Sequence, residues 1–216
     1  MQELMIRGGP LMWPLAACSL IALAVILERG WFWFRLARRR DRELINRLFS
    51  MTEEGRFDEA AAAGAQSPAV TVRVLTAGLV HRNYDLPSSM EAAAMAELEH
   101  MKRGLGVLDT IITLAPLLGI LGTVSGIILS FDLLSEAGIQ NPRAVTGGIA
   151  QALITTATGL AIAIVTVIPY NALNSKTDKV ARYLENIATH FELTYRKGLE
   201  RLDEAEHGKG PAARTH

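Results

Sequence analysis

Hydroxyl and amide side chains recur within two apolar segments, where they could order water or coordinate a cation. The first segment, APLLGILGTVSGI, contains Thr123. The second segment carries four such residues, Gln151, Thr155, Thr156 and Thr158. Because Gln151, Thr155 and Thr158 are spaced by one helical turn each, they predict a polar stripe that faces a cavity or another helix rather than lipid. A single threonine can bond a carbonyl of the preceding turn, whereas a glutamine has no such simple solution.

Small residues surround these polar groups. Gly122 and Gly126 form a GxxxG pair, and Gly119 extends the same small surface. Lipid already solvates leucine, so helices in a bilayer gain stability from close backbone approach, which small residues permit. The sequence therefore predicts tight helix packing through five residues, Pro116, Gly119, Gly122, Gly126 and Gly159.

The distribution of charge identifies the elements that must position these groups. The chain has 216 residues and is 50% hydrophobic, and its 22 basic and 22 acidic residues are absent from three long intervals, 11–27, 110–131 and 144–175. The second interval makes about 33 Å of helix, which matches the hydrocarbon thickness of a bilayer. The third makes about 48 Å, so that helix must tilt or protrude. We predict an all-α integral membrane protein with three transmembrane helices, two of them extended into a cytoplasmic helical bundle.

The predicted segments are a short periplasmic N-terminus 1–10, transmembrane helix 11–34, a cytoplasmic helical region 35–104, transmembrane helix 105–134, a periplasmic loop 135–143, transmembrane helix 144–175, a cytoplasmic C-terminal helix 176–207 and a disordered tail 208–216. Basic residues cluster after the first and third spans, which places both flanks in the cytoplasm. A cleaved signal peptide ending at the LAAC box of residues 15–18 is the competing interpretation. It is rejected because the start lacks a basic region and the apolar run continues past Cys18.

The spacing of apolar residues in the predicted cytoplasmic region indicates several amphipathic helices. The first carries Leu44, Ile45, Leu48 and Phe49 at helical spacing and is expected to break at Gly64 and Pro68. A second runs over about 70–82. Ser88 and Glu91 predict a capping box that opens a helix continuing without a break into the second span. The C-terminal helix has its own apolar stripe, Val180, Tyr183, Leu184, Ile187, Phe191 and Leu193. Other copies of the chain or an intramolecular bundle would cover these stripes, and both alternatives stay open.

Several function classes are disfavoured. One cysteine excludes an internal disulfide, and the five histidines lack paired ligand spacing, so no metal site or cofactor is expected. No catalytic triad, nucleophile elbow or phosphate loop is present, so the chain is not predicted to be an enzyme, nor is a nucleic-acid partner expected. No Asp, Glu, Lys, Arg or His lies centrally in any span, so the chain alone has no titratable proton carrier there. This absence argues against a self-sufficient pump and favours either a water-lined pore or a protein that surrounds a charged helix of a partner.

Two long motifs resemble a known family. APLLGILGTVSGIILSF resembles the second membrane helix of the ExbB/TolQ/MotA family, and GGIAQALITTATGLAIAIVTVIPYN resembles its third. The ILERGWFWFRL exit from span one, GRFDEAAAAG and ELEHMKRGLGVLDTI are similar to ExbB and TolQ as well, so the resemblance covers nearly the whole chain. The short segment before span one is closer to TolQ-like chains than to ExbB forms with long leaders.

The resemblance implies a homopentamer in a bacterial inner membrane that surrounds a dimer of single-span ExbD- or TolR-like partners, whose aspartate binds the ion. Ion flow then drives work on a TonB- or TolA-like effector. The pore threonines of the family correspond to Thr123 and Thr156. Two departures are present: Gln151 replaces the usual glutamate of GIAEAL, so a protonation step at that carboxylate cannot occur, and the family proline after GLxxAI is Val165 here, with Pro169 four residues later.

Three hypotheses follow. The first is a proton channel or stator subunit of an energy-transducing complex. The second is a sodium-coupled version of the same motor, since Gln151, Thr155 and Thr158 offer neutral oxygen ligands. The third is a membrane scaffold that conducts no ion. The output, whether nutrient uptake, Tol-Pal envelope maintenance or motility, is left open by the sequence.

Overall fold

A computed structural model describes residues 8–37, 41–137 and 142–207, and these residues form helices and turns with no strand among them. Within these described residues there are seven helices: α1 Met12–Ala37, α2 Arg42–Glu53, α3 Phe57–Gly64, α4 Val70–Val80, α5 Leu86–Lys102, α6 Leu105–Ala137 and α7 Pro142–His207. The all-α prediction is confirmed. Parts of the predicted N-terminus and external loop, and the whole predicted tail, lie outside the described residues.

Three helices are long and apolar enough to cross a membrane, over Met12–Leu36, Leu105–Asp132 and Thr146–Glu204. Their outer surfaces carry many large apolar side chains, such as Trp13, Ile128 and Ile168, that the rest of the chain leaves exposed. Such surfaces are stable only against lipid or another apolar partner. The predicted membrane protein with three transmembrane helices is therefore confirmed, whereas the predicted boundaries of each segment stay predictions.

The chain divides into two compact units. The membrane unit contains the described residues up to Trp31 together with Arg103–Ser175. The bundle unit contains Phe32–Lys102 together with the described residues from Lys176 onward. Proline does not end the long helices, because α6 continues through Pro116 and α7 continues through Pro169.

The bundle unit has its own hydrophobic core, to which α2, α4, α5 and α7 all contribute. Leu48, Leu75, Met90 and Phe191 are fully buried in it, and the Phe49 and Phe191 rings meet edge to face with centroids 5.1 Å apart. The intramolecular bundle thus covers much of the predicted apolar stripes. On α7 the stripe is narrower than predicted, because Tyr183 and Leu193 stay about half exposed.

Two glycines end helices earlier than the sequence pattern predicts. Gly55 has φ +78° and separates α2 from α3, so the expected first helix is two helices. Gly104 has φ +81° and separates α5 from α6, so the helix predicted to run unbroken into the second span is interrupted. Only glycine adopts this left-handed conformation without strain, so each residue ends its helix.

The start of α5 also differs from the prediction. The helix begins at Leu86, and the Asp85 carboxylate accepts hydrogen bonds from the backbone N–H of Ser88 at 3.3 Å and from its hydroxyl at 2.5 Å. Ser88 therefore lies inside the first turn, and Asp85 has the capping position that was predicted for Ser88.

Candidate functional site

The predicted site lies in the membrane unit, where α6 packs against α7 through residues without large side chains. A Cβ atom added at Gly126 would lie 2.8 Å from the carbonyl oxygen of Gly148 and 2.9 Å from the Ala152 Cβ. One added at Gly119 would lie 3.0 Å from the Thr156 Cα. The two backbones are therefore in direct contact, which is the geometry that small residues allow in membranes.

The remaining predicted packing residues extend this contact. A Cβ atom at Gly122 would overlap the Thr155 side chain, and one at Gly159 would overlap the carbonyl oxygen of Ala115. Ala115 is completely buried, and Pro116 beside it is half-buried. All four predicted packing glycines thus lie at the α6–α7 interface.

Thr156 connects the two helices by a hydrogen bond. Its hydroxyl donates to the carbonyl oxygen of Gly119 at 2.8 Å. This arrangement is unusual among the described threonine hydroxyls of the membrane unit, because those of Thr155, Thr158 and Thr166 donate to carbonyls of their own helix. Gly119 permits the contact, since any side chain there would meet the Thr156 backbone.

Thr123 lies one helical turn from Gly119 on α6, and is half-buried. Its hydroxyl donates to the Ile120 carbonyl at 2.6 Å. Residues four apart on a helix lie on the same face, so Thr123 is on the strip of α6 that also accepts the Thr156 hydroxyl. Thr156 of α7 therefore donates to the same strip of α6 on which Thr123 lies, while the role of both residues in ion passage stays a prediction.

The side chains of the predicted polar stripe of α7 do not share one environment, because each contacts different residues. Thr155 is only 1% exposed, is covered by Gly122, and donates to the Ala152 carbonyl at 2.8 Å. Thr158 is half-buried and donates to the Ile154 carbonyl at 2.8 Å. The amide of Gln151 lies against Gly9, which has a φ of +72°, and a Cβ atom added at Gly9 would overlap that amide.

Three polar residues outside the predicted set also contribute to the α6–α7 pair. The Tyr170 hydroxyl donates a hydrogen bond to the Asp109 carboxylate. Asp109 directly precedes the uncharged interval 110–131. This position at the end of the interval is the feature of the sequence that could have identified Asp109 as part of the site. Ser130, which is buried, donates to the Gly126 carbonyl at 2.8 Å within α6.

The two uncharged intervals of α6 and α7 offer only neutral groups for chemistry. Residues 110–131 and 144–175 contain no Asp, Glu, Lys, Arg or His. Hydroxyl and carbonyl oxygens can order water or coordinate a cation, but they do not take up a proton at physiological pH. Among the described residues, no three His, Cys, Asp or Glu side chains are grouped so that they could hold a metal ion.

Comparison with known proteins agrees with this architecture. A family model described as the MotA/TolQ/ExbB proton channel family matches residues 66–186. The putative biopolymer transport protein ExbB-like 1 of Synechocystis is 37% identical over 198 residues, covering 89% of this chain and 78% of that protein. ExbB-like 3 of the same organism is 31% identical over 205 residues, covering 93% and 97%. The biopolymer transport protein exbB1 of Vibrio cholerae is 28% identical over 200 residues, covering 89% and 87%.

The matched residues 66–186 include the whole of α6, the membrane-unit part of α7, and helices α4 and α5 of the bundle unit. The family match covers more than half of the chain, and the Synechocystis relatives align along about nine-tenths of it. Membership of one family therefore accounts for both the three apolar helices and the glycine-packed α6–α7 pair. The chain belongs to the MotA/TolQ/ExbB proton channel family.

Proposed function

We propose that this protein is the channel subunit of an inner-membrane complex that couples a proton gradient to work on the cell envelope. In this proposal five copies surround a dimer of ExbD- or TolR-like single-span partners, and a TonB- or TolA-like effector receives the work. The N-terminus faces the periplasm and the C-terminus the cytoplasm, as the basic residues after the first and third spans indicate.

The hydrogen bond from Thr156 to the Gly119 carbonyl is the observation that carries the proposal. It fixes one threonine of α7 beside the strip of α6 that holds Thr123. A hydroxyl anchored through its proton keeps its oxygen lone pairs available, so it can accept a hydrogen bond from water or from a protonated acid. The two hydroxyls thus provide acceptors along one line within an otherwise apolar surface.

The missing titratable group explains why a partner is required. A proton that crosses about 30 Å of hydrocarbon needs acceptors along its way, and an acidic side chain is the usual carrier. The intervals 110–131 and 144–175 contain none. We infer that a partner helix supplies a carboxylate opposite the threonine strip.

A flux assay tests this proposal. The chain is reconstituted in liposomes with and without its ExbD/TolR-like partner, and proton entry is followed with an internal pH dye. Thr156→Val keeps the shape of the side chain but removes the hydroxyl, and we expect flux to fall about tenfold or more, which corresponds to an added barrier of about 1.4 kcal/mol. Loss of one hydrogen bond costs about 1 kcal/mol, which is too little to prevent assembly.

Two variants serve as controls. Thr156→Ser keeps the hydroxyl and should retain most of the flux. Thr166→Val removes a hydroxyl of α7 that donates only to the Ile162 carbonyl of its own helix, so flux should be unchanged. Normal flux in an assembled Thr156→Val complex would show that Thr156 is a packing residue. If neither the native chain nor any variant conducts protons although the partner is bound, the result would favour the membrane scaffold that conducts no ion.

We propose the proton rather than sodium as the coupling ion. The neutral ligands suggested for sodium have separate surroundings, because Thr155 is buried against Gly122 and the Gln151 amide lies against Gly9. Proton flux should therefore persist in sodium-free medium. Flux that requires sodium and saturates with it would contradict this choice of ion but not the channel itself.

A further inference from the structure

A groove of about 740 Å³ lies in the bundle unit, between the end of α1, the start of α2 and the part of α7 that begins at Lys176. Its walls are partly apolar, formed by Leu36, Ile45, Val70, Met101 and Val180. Its polar lining includes three basic residues, Arg42, Lys176 and Lys179. The groove thus combines an apolar wall with a cluster of positive charge.

The positive charge of the groove is not neutralised within the described part of the chain. No described carboxylate forms an ion pair with Arg42, Lys176 or Lys179. Asp41 is the acidic residue of the lining, and its carboxylate already accepts the backbone N–H of Leu44 at 3.0 Å as the cap of α2. An anion that entered the groove would therefore meet a net positive site.

Trp33 adds a hydrogen-bond donor without an acceptor. The indole lines the groove, and the Lys176 ammonium lies 6.0 Å from the centroid of its ring. The indole Nε1–H is buried and has no hydrogen-bond acceptor among the described residues. A buried donor without an acceptor is unfavourable, so an acceptor oxygen that reached it would stabilise the protein.

The sequence places the groove at the level of the lipid headgroups. Trp33 lies in the last turn of the first candidate span, which ends at Leu36. Lys176 directly follows the uncharged interval 144–175, and Lys179 lies about one turn further along the same helix. Tryptophan and lysine at the end of a span are typical of the interface between hydrocarbon and water.

We propose that this groove binds one anionic glycerophospholipid of the adjacent leaflet. Lys176 and Lys179 hold the phosphate, the Trp33 indole donates to a phosphate or ester oxygen, and the acyl chain lies along the apolar wall. A second copy of this chain is the less favourable occupant if it presents the same basic face, because like charges would be brought together. Lipid binding in this groove does not depend on ion conduction, so it can be tested separately from the channel.

Fluorescence quenching tests the proposal on the full chain. Trp13 and Trp31 are both about 70% exposed, so Trp13→Phe and Trp31→Phe leave Trp33 as the single tryptophan with little disturbance. The protein is placed in vesicles with brominated acyl chains on either phosphatidylglycerol or phosphatidylcholine. We expect the phosphatidylglycerol to quench Trp33 at far lower mole fraction. Each interfacial lysine contributes about fivefold to the preference, hence roughly 25-fold for two.

Matched variants make the test specific. Lys176→Gln with Lys179→Gln should abolish the preference for phosphatidylglycerol. Arg196→Gln with Lys197→Gln removes the same charge from exposed positions further along α7 and should leave the preference unchanged. In a parallel assay on the three-tryptophan chain, Trp33→Phe should weaken retention of phosphatidylglycerol through purification while keeping the ring that faces Lys176.

Three outcomes would overturn the proposal. Equal quenching by the two lipids would show that the groove does not select anionic headgroups. Displacement of phosphatidylglycerol by inorganic phosphate alone would identify a soluble anion as the ligand. Protection of Trp33 from both lipids, with crosslinks between groove residues of two copies, would show that another subunit covers the groove.

Discussion

At the residue scale, the glycines of α6 and α7 are defined by what an added methyl group would meet. At Gly126 it would meet the Gly148 carbonyl, which belongs to the backbone and cannot rotate away. At Gly147, on the same helix as Gly148, it would meet nothing within 4 Å. Gly126 and Gly147 therefore have different roles, and the difference is steric.

The matched pair Gly126→Ala and Gly147→Ala tests this interpretation. Gly126→Ala should destabilise the protein by about 1–3 kcal/mol, because the helices must separate to admit the methyl group. Gly147→Ala should be neutral or slightly stabilising, since alanine restricts the unfolded chain and is favourable in a helix. Unfolding of each variant in mixed detergent micelles by added SDS measures the difference. Equal stability of the two variants would contradict the close packing of α6 on α7.

The threonines predicted to line the ion path show how far residue types alone can lead. Hydroxyls in an uncharged span, together with the family motifs, were enough to select Thr123, Thr155, Thr156 and Thr158. Which of them reaches across to α6 depends on the rotation of α7 about its axis. That rotation is set by the glycine contacts, so only the structure separates Thr156 from the self-bonded Thr155 and Thr158.

At the scale of elements, the ends of helices were the least predictable feature. Apolar periodicity predicted α2, α4 and the long C-terminal helix, but it did not show that Gly104 separates α5 from α6. A glycine within a helical pattern is tolerated in many helices, and its effect depends on its neighbours. Here a Cβ at Gly104 would lie 3.2 Å from the Val25 side chain, so tertiary contacts as well as backbone conformation favour glycine.

The cap of α5 makes a pH-dependent prediction. The hydroxyl and the backbone N–H of Ser88 both donate to the Asp85 carboxylate, and they lower the pKa of Asp85. Since the folded pKa is below the unfolded value of about 3.9, the charged carboxylate stabilises the folded state above that pH, and the contribution is lost as the pH falls through the folded pKa. Asp85→Asn should therefore be less stable than the native protein near neutral pH, with a difference that shrinks in acid.

Thermal unfolding of the full chain in detergent at stepped pH checks this prediction. Glu91→Gln removes one negative charge from an exposed position of the same helix and reports the general effect of charge on α5. A difference between Asp85→Asn and the native protein that stays constant down to about pH 3 would show that the carboxylate charge does not stabilise the cap.

At the scale of the whole molecule, the oligomeric state determines what covers the exposed apolar surface of the spans. Lipid covers such a surface in a monomer, and other subunits cover part of it in an oligomer. Five copies with two partner chains are expected, so native mass spectrometry of the complex from nanodiscs should give that mass. Proton flux should appear only in this assembly. A stable monomer that conducts by itself would contradict the proposal that a partner helix must supply the proton-carrying carboxylate.

The sequence by itself determined the all-α class, the three spans and the family. These follow from the lengths of uncharged runs and from local motifs, which are properties of contiguous residues. The tertiary structure decided that Thr156 bridges to Gly119, that Gln151 lies against Gly9, and that Trp33 shares a groove with Lys176. Each of these pairs joins residues far apart in the chain. Their contact depends on how helices rotate and slide against one another, and local sequence patterns do not specify that register.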